Sequence, residues 1–166
     1  MKNNILFIFL FLLAFTASSQ TSLDQLLSRY NNQSIPYITV EELKMLQKDE
    51  NLVLLDAREP EEFQVSHIKG AVFSGYSSFS SEEISRSIKD KSAMIVVYCS
   101  LGIRSEKISE KLKAEGFLNI RNLYGGIFEW KNKGFEVFDS EGKETEKVHA
   151  YSKSWSKWLT NGEKIY

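Results

Sequence analysis

The chain has 166 residues, 42% of them hydrophobic, which suits one globular domain. Lysine and arginine number 21 against 22 aspartates and glutamates, so there is no basic excess to neutralise nucleic-acid phosphates. One cysteine excludes an internal disulfide framework and CxxC-type metal sites, and only two prolines and nine glycines exclude a collagenous or linker-like chain. At the amino end, Met1-Lys2 precedes the unbroken apolar run Ile5–Phe15, and small residues (Ala17, Ser19) lead up to Gln20. This is the layout of a signal peptide over residues 1–19, which predicts an exported protein, periplasmic or secreted, starting near Gln20. The run is eleven residues long, well short of the roughly twenty that cross a bilayer. The expected mature protein therefore has no stable membrane span.

Residues 20–36 read as an amino-terminal segment with a short helix over Ser22–Tyr30. Tyr37-Ile38-Thr39-Val40 is a short strand, and Thr39-x-x-Glu42 is a capping box opening a helix to about Gln47. Leu52–Leu55 is a continuous apolar run, as in a strand buried on both faces. Pro60-Glu61-Glu62-Phe63 suits a first helical turn. Ala71–Phe73 is a brief strand, Ser74–Ser81 a serine-rich loop, and Ser80-x-x-Glu83 the cap of a helix over Ser81 to about Ile88. Met94–Tyr98 is the most apolar strand. A helix Ser105–Glu115 follows, with Ile108 and Leu112 on one face and Gly116 as its stop. Asn119–Leu123 is the next strand, and Gly125-Gly126 leads into a helix to Lys133. Such alternation predicts an α/β fold: a parallel five-stranded sheet with helices on both faces over residues 37–137. Residues 138–166 form an extension in which Phe138–Lys143 is a hydrophilic turn. Tyr151, Trp155, Trp158 and Leu159 make one stripe of a predicted amphipathic helix ended by Asn161-Gly162. That helix either docks on the domain, where it acts as a lid or brace, or takes a protein partner or a membrane surface.

Parallel sheets carry their sites at the carboxyl ends of strands, and the lone Cys99 stands there, after Tyr98 and before a helix. A helix amino terminus favours thiolate over thiol and cradles an anion beside it. Gly102 permits a tight loop, and Arg104 adds a permanent charge. Nucleophilic sulfur beside an anion cradle points to attack on an anionic substrate. The bland alternative is a buried structural thiol. Asp56 and Arg58 either hold the loop geometry or form an ion pair that only fixes the strand end. His67 reads as a structural residue bonding backbone, and Trp130 as core.

Three segments carry a family resemblance. Leu54-Leu55-Asp56-Ala57-Arg58-Glu59-Pro60-Glu61-Glu62-Phe63 with His67-Ile68-Lys69-Gly70-Ala71 resembles the first signature of rhodanese-like domains. Val97 to Ser105 resembles their active-site loop, and Asn122 to Trp130 their closing segment. The resemblance spans about Ile38 to Gly134. It implies a cofactor-free sulfurtransferase in which Cys99 carries a persulfide. The donor would be thiosulfate or another small sulfur-containing anion, and the acceptor a thiol or cyanide. It also implies that the backbone of Ser100, Leu101, Gly102, Ile103, Arg104 and Ser105 holds the anion. Two rivals stand beside it: a non-enzymatic binding module, and a cysteine-based phosphatase. Phosphatase loops place five residues between cysteine and arginine, whereas four separate Cys99 from Arg104.

Overall fold

A computed structural model describes residues 23–166; the expected signal peptide and its expected cleavage site lie outside them. The chain divides at Asn32 into two units. The described part of the first holds a helix, α1, over residues 23–30.

In residues 33–166 the apolar runs become β2 (Leu52–Asp56), β4 (Met94–Tyr98) and β5 (Asn119–Leu123), with short edges β1 (Tyr37–Ile38) and β3 (Val72–Phe73). All pair in parallel in the order β1-β5-β4-β2-β3. The sheet-flanking helices are α2 (Val40–Leu46), α3 (Pro60–Val65), α4 (Ser81–Ser87), α5 (Ile103–Ala114) and α6 (Gly126–Asn132). The capping box at α2 forms as the sequence predicts: Thr39 Oγ1 accepts from Glu42 N–H, and Glu42 accepts from Thr39 N–H. That cap takes Thr39 and Val40 out of the expected first strand, which stops at Ile38.

Alternation explains why β2 and β4 are apolar at successive positions. Leu55, Ala57, Ile95 and Val97 pack on Ile108 and Leu112 of α5, with Ile84 and Ile88 beside them. Leu54, Val96 and Tyr98 point the other way and are buried as well. Pairing sets Asp56 opposite Tyr98, so the carboxyl ends of the two central strands finish level with each other, just before Cys99.

The carboxyl-terminal extension corrects the sequence expectation. The turn Asp139–Lys143 closes a hairpin of β6 (Val137–Phe138) and β7 (Glu144–Thr145). β8 (Lys147–His149) pairs in parallel with β9 (Glu163–Ile165), and between them only Ser156–Trp158 is helical, as a 3₁₀ turn. The amphipathic helix from Tyr151 to Leu159 is absent because Tyr151 sits at φ 64°, outside any right-handed helix. The local serines also bond among themselves and to nearby backbone, Ser152 to Ser154 and Ser156 to the Lys153 carbonyl.

The extension is nonetheless part of the packed structure: Val148, Ala150 and Leu159 are fully buried. Truncation after Lys147 removes them, with an expected loss of about 3–6 kcal/mol from Val148 and Leu159 alone. The melting temperature should fall by more than about 10 °C. A fall of under about 3 °C would make the extension a passive appendage.

Candidate functional site

Cys99 follows the last residue of β4 and is 2% exposed. Gly102 takes φ 109° as the cap of α5 and turns its N–H onto Cys99 Sγ at 3.1 Å. A β-carbon at Gly102 would meet the Leu123 carbonyl at 3.2 Å as well as being strained. The buried Ser105 hydroxyl lies 3.5 Å from Sγ and 2.7 Å from Asn122 Oδ1. Its one proton serves one acceptor at a time, so it can turn to the sulfur when that is charged. Asn122 Nδ2 donates to the Gly102 carbonyl at 2.8 Å and ties the loop to β5.

A second clamp comes from α6. Its first N–H groups donate to the loop carbonyls, Ile127 to Cys99 at 2.9 Å and Phe128 to Ser100 at 3.2 Å. Only glycine allows that approach, because a β-carbon on Gly126 would stand 2.3 Å from the Cys99 carbonyl oxygen.

Arg104 lies in the first turn of α5, and its guanidinium grips Glu62 of α3 with both ends, Nη1 to Oε2 at 2.6 Å and Nη2 to Oε1 at 2.8 Å. Nη2 also donates to Ser100 Oγ at 3.0 Å, and that hydroxyl donates to Glu62 Oε1 at 3.1 Å. Burial raises the Glu62 carboxyl, but the bonds and charge of Arg104 outweigh it and hold the group below its ordinary value. At Cys99, burial pushes the thiol up. The Arg104 charge, the Ser105 hydroxyl and N–H, and the Gly102 N–H together outweigh it and bring the thiol below its ordinary value. The site therefore favours a thiolate.

Iodoacetamide should alkylate Cys99 with a rate that rises with pH and levels off above a midpoint lower than that of an ordinary cysteine. Arg104→Met removes the positive charge and should move that midpoint upward. A midpoint that ignores Arg104 would contradict its electrostatic role.

Asp56 and Arg58 form a wholly buried ion pair, Nη2 to Oδ2 at 2.7 Å and Nε to Oδ1 at 2.9 Å. Arg58 also donates to the Ser66 carbonyl at 2.6 Å, and its guanidinium lies 5.7 Å from the centre of the Tyr98 ring. These bonds fix the end of β2 and the chain after α3, which is the strand-end alternative. His67 stacks on Phe63 at 4.2 Å with Nδ1 on the Phe63 carbonyl, and Trp130 is buried with its Nε1 donating to Glu136.

The structure thus gathers Cys99 to Ser105 at the junction of β4 and α5, while Asp56 and Arg58 bond the strand end and reach the site through the charge of Arg58 on Glu62 and Arg104. Glu62, Asn122 and Gly126 are the supports that the sequence reading did not single out. Asn122 had a visible signal, since strand alternation sets its polar side chain on the same face as the apolar Ile120. Glu62 had none beyond its place in an acidic helical turn.

The family model described as the rhodanese-like domain matches residues 39–133. A protein of Staphylococcus epidermidis named tRNA uridine(34) hydroxylase is 40% identical over 94 residues, which is 55% of this chain but 29% of that protein. One of the same name from Listeria welshimeri is 40% identical over 96 residues, 55% and 30% of the two chains. The chain therefore spans about three tenths of the length of these curated relatives. Among solved structures, a rhodanese-like domain from Anabaena sp. superposes with a TM-score of 0.56 at 24% identity, covering 63% of this chain and 79% of its own. A thiosulfate sulfurtransferase from Pseudomonas aeruginosa gives 0.59 at 22% identity, covering 76% of this chain and 24% of that one. At these identities the likeness is one of fold.

Proposed function

Since the chain belongs to the rhodanese-like domain family, we propose that it is a sulfurtransferase moving sulfane sulfur through a persulfide on Cys99. The observation that carries this reading is the environment of Sγ at the end of β4, where Gly102, Ser105 and the Arg104 charge favour the thiolate. The donor is thiosulfate or a small persulfide. The thiolate attacks the outer sulfur and a new S–S bond forms, while sulfite (from thiosulfate) or the donor's own thiolate (from a persulfide) leaves with the pair from the broken bond. The loop N–H groups and the first turn of α5 stabilise the anionic persulfide. Cyanide or a thiolate then attacks the terminal sulfur, and the bonding pair returns to Cys99. With one cysteine in the chain, no second thiol competes to form an internal disulfide, so the sulfur passes outward.

Two observations favour this over a phosphatase and over the activity of the named relatives. Arg104 is committed to Glu62 at both ends, which suits a charge that tunes the sulfur rather than one free to clasp a phosphate ester. The tRNA uridine(34) hydroxylases match over less than a third of their length, and this chain has no basic excess with which to hold an RNA. Steady-state kinetics test the proposal. Thiosulfate and cyanide should give thiocyanate with parallel double-reciprocal lines, as a two-step covalent cycle requires. Intersecting lines, or aryl phosphate hydrolysis without thiocyanate, would count against it.

A further inference from the structure

Residues beyond Lys133 lie outside the family match, and the chain uses them to reach the loop of its own cysteine. The extension is fastened to α6, whose amino end clamps the Cys99 and Ser100 carbonyls. Lys131 pairs with Glu146 at 2.8 Å, and Asn132 donates to the Trp158 carbonyl while accepting from the Thr160 and Asn161 N–H groups. Ala150, fully buried, bonds β9 through Ile165. From this anchorage Tyr151 projects at φ 64°, centred in a γ-turn that joins the Ser152 N–H to the Ala150 carbonyl at 2.7 Å. Its own N–H donates to His149 Nδ1 at 3.1 Å.

The ring centre of Tyr151 lies 4.8 Å from Arg104 Cζ, and the side chain is half exposed. Glu62 and Ser100 take the guanidinium edge, the phenol ring stands against the same group, and the Arg104 side chain is 14% exposed. A left-handed conformation at a large aromatic residue is costly, and such outliers concentrate at functional sites. Here the strained residue falls on the arginine of the reactive loop.

We propose that Tyr151 is a specificity-determining residue at the mouth of the Cys99 site, admitting small reactants to the sulfur and holding back bulky thiols. The proposal rests on Cys99 being the reacting group of the sulfur-transfer reading. It predicts selection by exclusion: a cation–π contact with a guanidinium held at both ends gives the ring a fixed place, and size then decides what passes.

The chain has one cysteine, so alkylation reads this site alone. The full chain is treated with iodoacetamide and with a maleimide carrying a fluorescein group, as wild type, Tyr151→Phe and Tyr151→Gly. Glycine adopts the positive φ without strain, so that variant keeps the fold. Tyr151→Gly should accelerate the fluorescein maleimide about tenfold while iodoacetamide changes by less than about twofold. Tyr151→Phe, which keeps the ring, should stay close to wild type with both. Equal acceleration of both reagents would mean general loosening, and no acceleration would mean that Tyr151 does not guard the sulfur; either result overturns the proposal. In the transfer reaction, the ratio of glutathione to cyanide as acceptor should rise in Tyr151→Gly. If no variant forms a persulfide, the sulfur-transfer reading fails, and the alkylation ratio still decides the role of Tyr151.

Discussion

Asp56→Ala is expected to destabilise the protein by about 3–5 kcal/mol, because it strands a guanidinium that has no access to water. Arg58 is fully buried and takes its charge balance from Asp56. Burial works against its protonation, and the Asp56 charge and hydrogen bonds more than restore it. What remains after the substitution is one bond to the Ser66 carbonyl, the Tyr98 ring and the unbonded charge of Glu62. The melting temperature should fall by roughly 10–20 °C for a domain of this size. The double variant Asp56→Ala/Arg58→Met should recover much of that loss, since an apolar replacement of a buried pair is often nearly neutral. Below its melting temperature, Asp56→Ala should still accept sulfur, because the pair bonds the strand end and not the Cys99 loop. A loss under about 1 kcal/mol would mean that the charges are compensated elsewhere.

That pair shows where sequence reading stops. Asp56 and Arg58 were visible as charged residues at the end of an apolar run, but two outcomes, loop support or strand-end bond, have the same sequence. The sheet was legible because strands covered on both faces need apolar residues at successive positions, as Leu52–Leu55 and Met94–Tyr98 have. The reactive loop was legible because a cysteine between such a strand and a helix has a predictable electrostatic setting. Long-range partners were not. Glu62 meets Arg104 across 42 positions, and nothing local marks that pairing. The tail misled for a different reason. The spacing of Tyr151, Trp155, Trp158 and Leu159 fits a helical stripe, yet spacing records only which residues are apolar. In the structure Leu159 alone of the four is fully buried, and a strained turn at Tyr151 directs that ring to Arg104 instead.

The second large effect is expected at Cys99 itself. Cys99→Ser replaces a polarisable thiolate with a hydroxyl that stays protonated at neutral pH and cannot carry a second sulfur. Serine is close in size and keeps a hydrogen-bonding atom for the Gly102 N–H, so the fold should survive while transfer is abolished. Arg104→Met, by contrast, should slow transfer without ending it, because Gly102 and Ser105 still favour the thiolate.

Intact mass spectrometry after incubation with thiosulfate addresses the sulfur-carrier role directly, since the persulfide is the chemical species on which the reading depends. The wild type should gain one sulfur, about 32 Da, lose it again on addition of cyanide, and Cys99→Ser should gain nothing. A folded wild type whose Cys99 reacts with iodoacetamide but takes up no sulfur from thiosulfate or from a small persulfide would contradict the account.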